Sequence, residues 1–400
     1  MDGSVTAAPP ATGHLFLTGG RLVTADTDAD HGWVEVVGDR IAAVGTGPVE
    51  VPRGTARVDA EGLVLLPGLV DVHQHGGGGF SYEDGPEAAA QAVAFHRRSG
   101  TTASVASLVS APLPRLETQV SALAPLVERG LLAGIHLEGP WLSPRRAGAH
   151  DPAVLRAPEA GDVARLLAAG RGAVRMVTLA PELPGGLAAV EQLAAAGVVV
   201  AVGHTDATYD EVCAALGRGA RAATHLFNAM RPLHHREPGP VLALLESAAV
   251  LELVADGRHL HPAVLARAAQ ALGPDRTVLV TDATGAAGMP DGRYRLGGRQ
   301  VTVTDGAATG PGGEIAGGTG TLADALRFAV TVAGVPLQAA VAAATSTPAA
   351  LLGLPGAARL VPGAVADIVV MTPDLRVAGV LAQGRWVRPL DGSPTRPGTE

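Results

Sequence analysis

Along the first sixty residues apolar and polar positions alternate in short runs. "HLFLTGGRLVTAD", "GWVEVVGDRIAAVG" and "ARVDAEGLVLLPG" are separated by Gly and Asp turns, the period-2 signature of strands. The same texture returns at 358–390 as "ARLVPGAVADIVVMTPDLRVAGVLAQGRWV". Two β pieces at opposite ends of a chain fit one small sandwich, because chain ends commonly lie close together. The segment between them has a different rhythm. Apolar runs near 64–72, 102–109, 131–138, 173–180, 197–203, 221–226, 250–255 and 277–281 read as strands, and Ala/Leu-rich helical stretches such as "DVARLLAAG" and "LAAVEQLAAAG" lie between most of them. Eight such repeats predict an α/β fold, a (β/α)8 TIM barrel, with a doubly wound sheet as the alternative. The stretch 284–313 is not helical and reads as a hairpin excursion or lid before the last barrel helix, "TLADALRFAVTVAG". The expected organisation is a disordered tail over 1–12, a small β-sandwich domain from 13–62 plus 357–395, and a barrel over 63–356. The closing "DGSPTRPGTE" reads as a second disordered tail.

Polar residues interrupt this pattern where the apolar runs end. His73 and His75 follow "GLVDV", and Glu138 ends the third strand within "GIHLEGPWLSPRRAGAH". His204 follows "VVVAVG", His225 closes "RAAT" and Asp282 follows "TVLVT". In a barrel these strand ends form the face that carries active sites. His73 and His75, two apart on an extended strand, point the same way. A single strand-end histidine is ordinarily a hydrogen-bonded structural residue; four of them with a Glu and an Asp point to a metal centre. Imidazole and carboxylate donors suit zinc, iron or a similar divalent ion, whereas magnesium calls for more oxygens. Glu138, His204 and His225 make a first site, completed by water. His73 and His75 can hold a second ion, with Glu138 as a bridge, or remain partly occupied. Asp282 is the natural general base for a water acidified by the ion, and can hand the same proton to a leaving nitrogen.

Composition narrows the class. The 400 residues are ample for a large core. Hydrophobic residues make up 47% but aromatics only 3%, so the core must be built from small aliphatic layers. Every basic side chain other than histidine is an arginine; there is no lysine. That excludes a Schiff-base lysine, a carboxylated lysine and a Walker-type phosphate loop. With a net charge of -8, a nucleic-acid partner is not expected. Cys213 is the only cysteine, so no internal disulfide forms and a cytoplasmic location is expected. It reads as a small buried residue on the helix after "GHTDATYDE". The first residues lack the pattern of a signal peptide, and no apolar run is long enough to span a bilayer, so no membrane partner is expected. Gly76 to Gly79 are not followed by the GK[ST] of a phosphate loop. They are expected to let the backbone pass close to metal and substrate, as is "GGTGT" at 317–321.

"PGLVDVHQHGGGG", "GIHLEGPWLSPRRAGAH", "VGHTDAT", "THLFNAMRPLHHREPGP", "VADGRHLHP" and "VTDAT" together resemble the N-acetylglucosamine-6-phosphate deacetylases of the amidohydrolase superfamily. The resemblance runs from about 14 to 395. The first motif alone indicates only the superfamily; "HLEGP", "HLFNAM" and "HHREPG" are more specific. The resemblance implies hydrolysis of the acetamide of N-acetylglucosamine 6-phosphate, a small-molecule sugar phosphate. It implies an essential divalent ion on Glu138, His204 and His225, with zinc foremost and iron, manganese or cobalt as alternatives. Asp282 matches the catalytic Asp, and His150 the residue that polarises the acetamide carbonyl. The phosphate is expected to meet His259, the backbone amides around Asn228 and Ala229, and Arg236 supplied by the neighbouring subunit of a homodimer. Ile315 is the expected wall of the sugar site. Some members lack the first His pair and use one ion. This chain keeps His73 and His75, so one or two ions per subunit remain open. Trp141, Arg145 and Arg146 either cover the sugar or sit in solvent, and His234 and His235 are assigned no chemistry. One alternative is the same reaction on the galactosamine epimer. Another is a cyclic-amide hydrolase, which generally needs the carboxylated lysine this chain lacks. A catalytically dead sugar-phosphate sensor should have lost ligands or base, and neither is lost here.

Overall fold

Each apolar run of the middle segment ends up in a parallel strand. The computed structural model describes residues 13–354 and 356–390. Its barrel strands are β1 (Leu69–Gln74), β2 (Thr101–Val109), β3 (Gly134–Glu138), β4 (Val174–Leu179), β5 (Val199–Val202), β6 (Ala220–Ala223), β7 (Val250–Val254) and β8 (Thr277–Val280). They pair in sequence order from β1 to β8. The ring closes where the Asp282 amide donates to the His73 carbonyl at 2.9 Å and the His75 amide to the Ala283 carbonyl at 2.6 Å. Helices follow the strands, among them Ala160–Gly170, Gly186–Ala195 and Leu322–Thr331, where the Ala/Leu-rich stretches place them. The architecture is the (β/α)8 barrel, not a doubly wound sheet.

The barrel interior is filled by small residues. Val70, Val72, Val105, Met176, Val199, Ala201, Ala222, Val254, Val278 and Val280 form one cluster, joined by Ala349 and Leu351 of the helix Ser346–Leu351. This is how a chain so poor in aromatics packs a barrel: β-branched and small side chains interdigitate at close range.

The expected strand over 64–72 is two strands. Val64–Pro67 leaves the barrel and pairs with His14–Val23 and with Ile368–Met371. Gly68 makes the crossing, because a Cβ there would sit 2.1 Å from Thr102 Oγ1. The resulting eight-stranded sheet runs from Arg385–Arg388 through Val377–Ala382, Ile368–Met371, Val64–Pro67, His14–Val23 and Asp28–Val37 to Arg40–Thr46, with Ala56–Asp59 on the side of His14–Val23. It encloses its own core, including Leu17, Val34, Ile41, Leu65, Ile368 and Leu381. N- and C-terminal segments thus build one β unit flanking the barrel. Both expected disordered tails, and the domain end at 391–395, lie outside the described residues.

The excursion after β8 is a three-stranded antiparallel sheet, Gly292–Leu296, Arg299–Thr304 and Ala307–Thr309. Its inner face, Leu296, Val301 and Val303, packs against Val109 and Ala286 at the barrel mouth. Cys213 corrects an expectation: it is exposed. The helix Tyr209–Gly217 buries Val212 and Ala215, and residue 213 falls on its outer side. Among the described residues, no helix is long and apolar enough to cross a membrane.

Candidate active site

The polar residues at the strand ends meet at the C-terminal mouth of the barrel. Glu138 is the last residue of β3. His204, His225 and Asp282 each stand two residues beyond the ends of β5, β6 and β8. All three have left-handed backbone, with φ of 46°, 29° and 50°. Such conformations are costly for residues with a Cβ, and they concentrate at functional sites. Here they turn the chain out of the strand and carry each side chain over the mouth.

Glu138, His204 and His225 form one donor triad; His73, His75 and Asp282 form another. Glu138 Oε1 lies 3.1 Å from Nε2 of both His204 and His225, and those two nitrogens are 3.0 Å apart. His204 commits Nδ1 to the Arg146 carbonyl at 2.8 Å, so its Nε2 presents a lone pair. Lone pairs on nitrogen and carboxylate oxygen facing one another this closely repel unless a cation sits among them. The donor set therefore fits a divalent ion with bonds of about 2.0–2.2 Å. In the second triad His73 gives Nδ1 to Glu252 Oε2 at 2.9 Å, and His75 directs Nδ1 to the Ser107 carbonyl at 3.2 Å. Both leave Nε2 toward Asp282 Oδ1, at 3.4 and 3.1 Å. Glu138 Oε2 is 3.3 Å from His75 Nε2, so one carboxylate touches both triads. The sites suit one or two divalent ions.

His150 enters from the loop after β3. The Ser110 amide donates to its Nδ1 at 3.2 Å, which leaves the proton on Nε2. That nitrogen is 3.3 Å from Glu138 Oε2. Burial pushes this imidazole down to about 4 against the pull of Glu138, so it is a neutral donor near pH 7. Burial also works against a charged His259, but Asp256 and Asp282 outweigh it and lift the ring to about 9. Asp256 Oδ2 holds His259 Nδ1 at 2.6 Å, and Asp282 Oδ2 lies 3.4 Å from its Nε2. For Asp282 itself, burial is overcome by His73, His259 and His75, and the carboxyl stays well below its ordinary range. It is ionised and ready to accept a proton.

A cavity of about 230 Å³ opens over this cluster, lined among others by His150, Asn228, Ala229, His259, Arg299 and Ile315. Of the residues singled out from the sequence, Arg236 is not brought there. It lies on an exposed loop, with its guanidinium 2.7 Å from His235 Nε2. Trp141 is fully buried and does not cover the cavity. Arg145, Arg146 and Arg231 all turn to Asp206. Gly76 to Gly79 also differ from expectation, since what they approach is a hairpin and a helix. A Cβ at Gly76 would lie 2.1 Å from the Phe80 carbonyl oxygen, and one at Gly77 2.5 Å from His96 Nε2. Gly317 does line the cavity, and its Cβ would stand 2.6 Å from the Asp282 carbonyl oxygen.

Three supporting residues were not singled out from the sequence. Glu252 is wholly buried in β7, where its Oε2 accepts from the His73 ring and, at 3.1 Å, from the His225 amide. Its signal was a glutamate inside the apolar run "VLELV". Asp256 stood within a quoted motif, "VADGRHLHP". Ser110 holds the His150 ring through its amide and the Glu138 carbonyl through its hydroxyl, at 3.1 Å, and left no signal.

A barrel with two His/carboxylate triads at its mouth, one of them carrying an ionised Asp, is a metal-dependent hydrolase of amide bonds. The chain belongs to the amidohydrolase family, whose model matches residues 64–387. Among solved structures, one from Mycobacterium smegmatis is described as an N-acetyl-D-glucosamine-6-phosphate deacetylase mutant in complex with N-acetyl-D-glucosamine-6-phosphate. It is 47% identical, with a TM-score of 0.91, covering 94% of this chain and 100% of that one. The Escherichia coli O157:H7 N-acetylgalactosamine-6-phosphate deacetylase is 37% identical over 91% of this chain and 97% of its own length. The human N-acetylglucosamine-6-phosphate deacetylase is 36% identical over 84% and 86%.

Proposed function

We propose that this chain hydrolyses the acetamide of N-acetyl-D-glucosamine 6-phosphate to D-glucosamine 6-phosphate and acetate. The observation that carries the reading is the meeting of Glu138, His204 and His225 with Asp282 and the neutral His150 around one cavity. Glu138, His204 and His225 would hold a divalent ion, which would supply Lewis acidity and acidify the attacking water. Asp282 takes the proton of the attacking water, then delivers it to the amide nitrogen as the C–N bond breaks. His150 donates a hydrogen bond from its Nε2–H to the acetamide oxygen as negative charge develops there, keeping its proton. The His259 cation, the main-chain amides around Asn228 and Ala229, and Arg236 of the partner subunit in a homodimer form the phosphate site. Ile315 walls the sugar. Zinc suits two imidazoles and a carboxylate, and the lone cysteine suits the cytoplasm.

Supporting this substrate are the Mycobacterium smegmatis complex and its identity to this chain. The Escherichia coli O157:H7 relative supports a second reading, the galactosamine epimer. The test is acetate release by the metal-loaded enzyme from both phosphorylated epimers and from unphosphorylated N-acetylglucosamine. Turnover is expected on N-acetylglucosamine 6-phosphate and lost by about 10³-fold in Asp282→Asn. Preference for the galacto epimer would transfer the reading to it, and no release from any of the three would sink both.

A further inference from the structure

Beyond the residues already given roles, we propose that Arg299 is a positioning residue for hydrolysis, holding the His150 loop in its working place. Arg299 opens the middle strand of the excursion, on the inward face it shares with Val301 and Val303. Those valines are buried at the barrel mouth, so the base of the arginine is fixed. Its guanidinium Nη1 donates to two successive carbonyls, Ala149 at 2.9 Å and His150 at 3.0 Å. The same nitrogen is 3.4 Å from Glu314 Oε1, and Glu314 Oε2 in turn accepts from the Gly312 amide at 2.8 Å. One side chain thus ties the excursion, the His150 loop and the segment before Ile315 to one another.

Arg299 lines the cavity, which raises a competing role as a phosphate ligand. The geometry favours positioning. Nη1 is committed to two carbonyls, and Glu314 offsets the positive charge, so little of it is left for an anion. The His150 ring is held independently by the Ser110 amide. Main chain and ring are therefore held by separate groups, Arg299 and Ser110. Near-attack geometry is sensitive at this scale, and a displacement of about 1 Å can cost about 10²-fold in rate.

The inference rests on the deacetylase reading for its kinetic consequence but not for its structural one, and the experiment separates the two. The Ser110 amide reports directly on the seating of His150, because Nδ1 of that ring is its acceptor. In Arg299→Ala, hydrogen exchange at Ser110 should quicken by about 10-fold or more, with metal content and melting temperature unchanged. Unchanged exchange overturns the proposal whatever the substrate proves to be. In turnover, kcat should fall about 10- to 100-fold with KM nearly constant, and Arg299→Lys, which can still reach the carbonyls, should recover part of the loss. The loss should also be absent when Arg299→Ala is added to His150→Gln, since residues acting through one another are not additive. Additive losses, or a rise in KM with kcat intact, overturn the proposal. If Arg299→Ala does not fold, Arg299→Gln is read by the same criteria.

Discussion

Glu252 serves two groups with one oxygen. It fixes the tautomer of His73 and anchors the main chain of His225, so it reaches one member of each donor triad. Replacing it with Ala should weaken divalent-ion binding by about 10- to 100-fold, measured by competition with a chromophoric chelator. The sequence made the donors themselves legible, because a histidine or acid closing an apolar run is conspicuous. It hid the residues that orient them. Glu252 sits in mid-strand, where a reading by apolar content averages it away, and Ser110 is an ordinary serine at the end of an apolar run, whose amide and hydroxyl meet the His150 ring and the Glu138 carbonyl only in the fold.

The elements carry their own constraints. Gly318 passes so close to β8 that a Cβ would lie 2.3 Å from the Thr281 carbonyl oxygen. Gly318→Ala should push this segment away from Asp282, lowering both melting temperature and acetate release, read by calorimetry beside the assay. The helix Pro86–Arg98 packs onto the glycine hairpin through His96, whose Nε2 donates to the Gly76 carbonyl at 2.8 Å. Burial pushes His96 from 6.5 down to about 4. Between those values the unfolded chain binds the proton and the folded one does not. This contribution to stability is therefore present above about pH 6.5 and is lost as pH falls toward 4. Thermal melts across that window should slope less steeply in His96→Gln than in the wild type; equal slopes would remove His96 from the account. Strand number and helix placement were readable because apolar runs and Ala/Leu stretches differ in period. The switch at Pro67–Gly68 was not, since "LVLLPGLVDV" is apolar on both sides of the crossing, and only the pairing partners reveal that its halves belong to different sheets.

At the scale of the whole molecule, the exposed position of Arg236 has a testable consequence. If each cavity borrows Arg236 of the partner subunit, then Arg236→Ala and Asp282→Asn fail in different halves of the same site. Mixing the two inactive variants and letting subunits exchange should restore about a quarter of wild-type activity, because half the dimers are mixed and each has one intact site. No recovery, with exchange verified by mass, would show that the phosphate is held within one chain.

The sheet shared by the chain's two ends also has a consequence during synthesis. Val64–Pro67 emerges from the ribosome early, yet its antiparallel partner, Ile368–Met371, follows roughly 300 residues later. At ordinary elongation rates that is about 15–60 s of waiting. All eight barrel strands are translated first, while Leu65 and Leu66 remain without the neighbour that covers their edge. A nascent chain interrupted after β8 would hold a nearly complete barrel beside an open, sticky sheet. Aggregation or chaperone capture of such fragments should begin at that sheet, and release from the chaperone should track completion of the last strands.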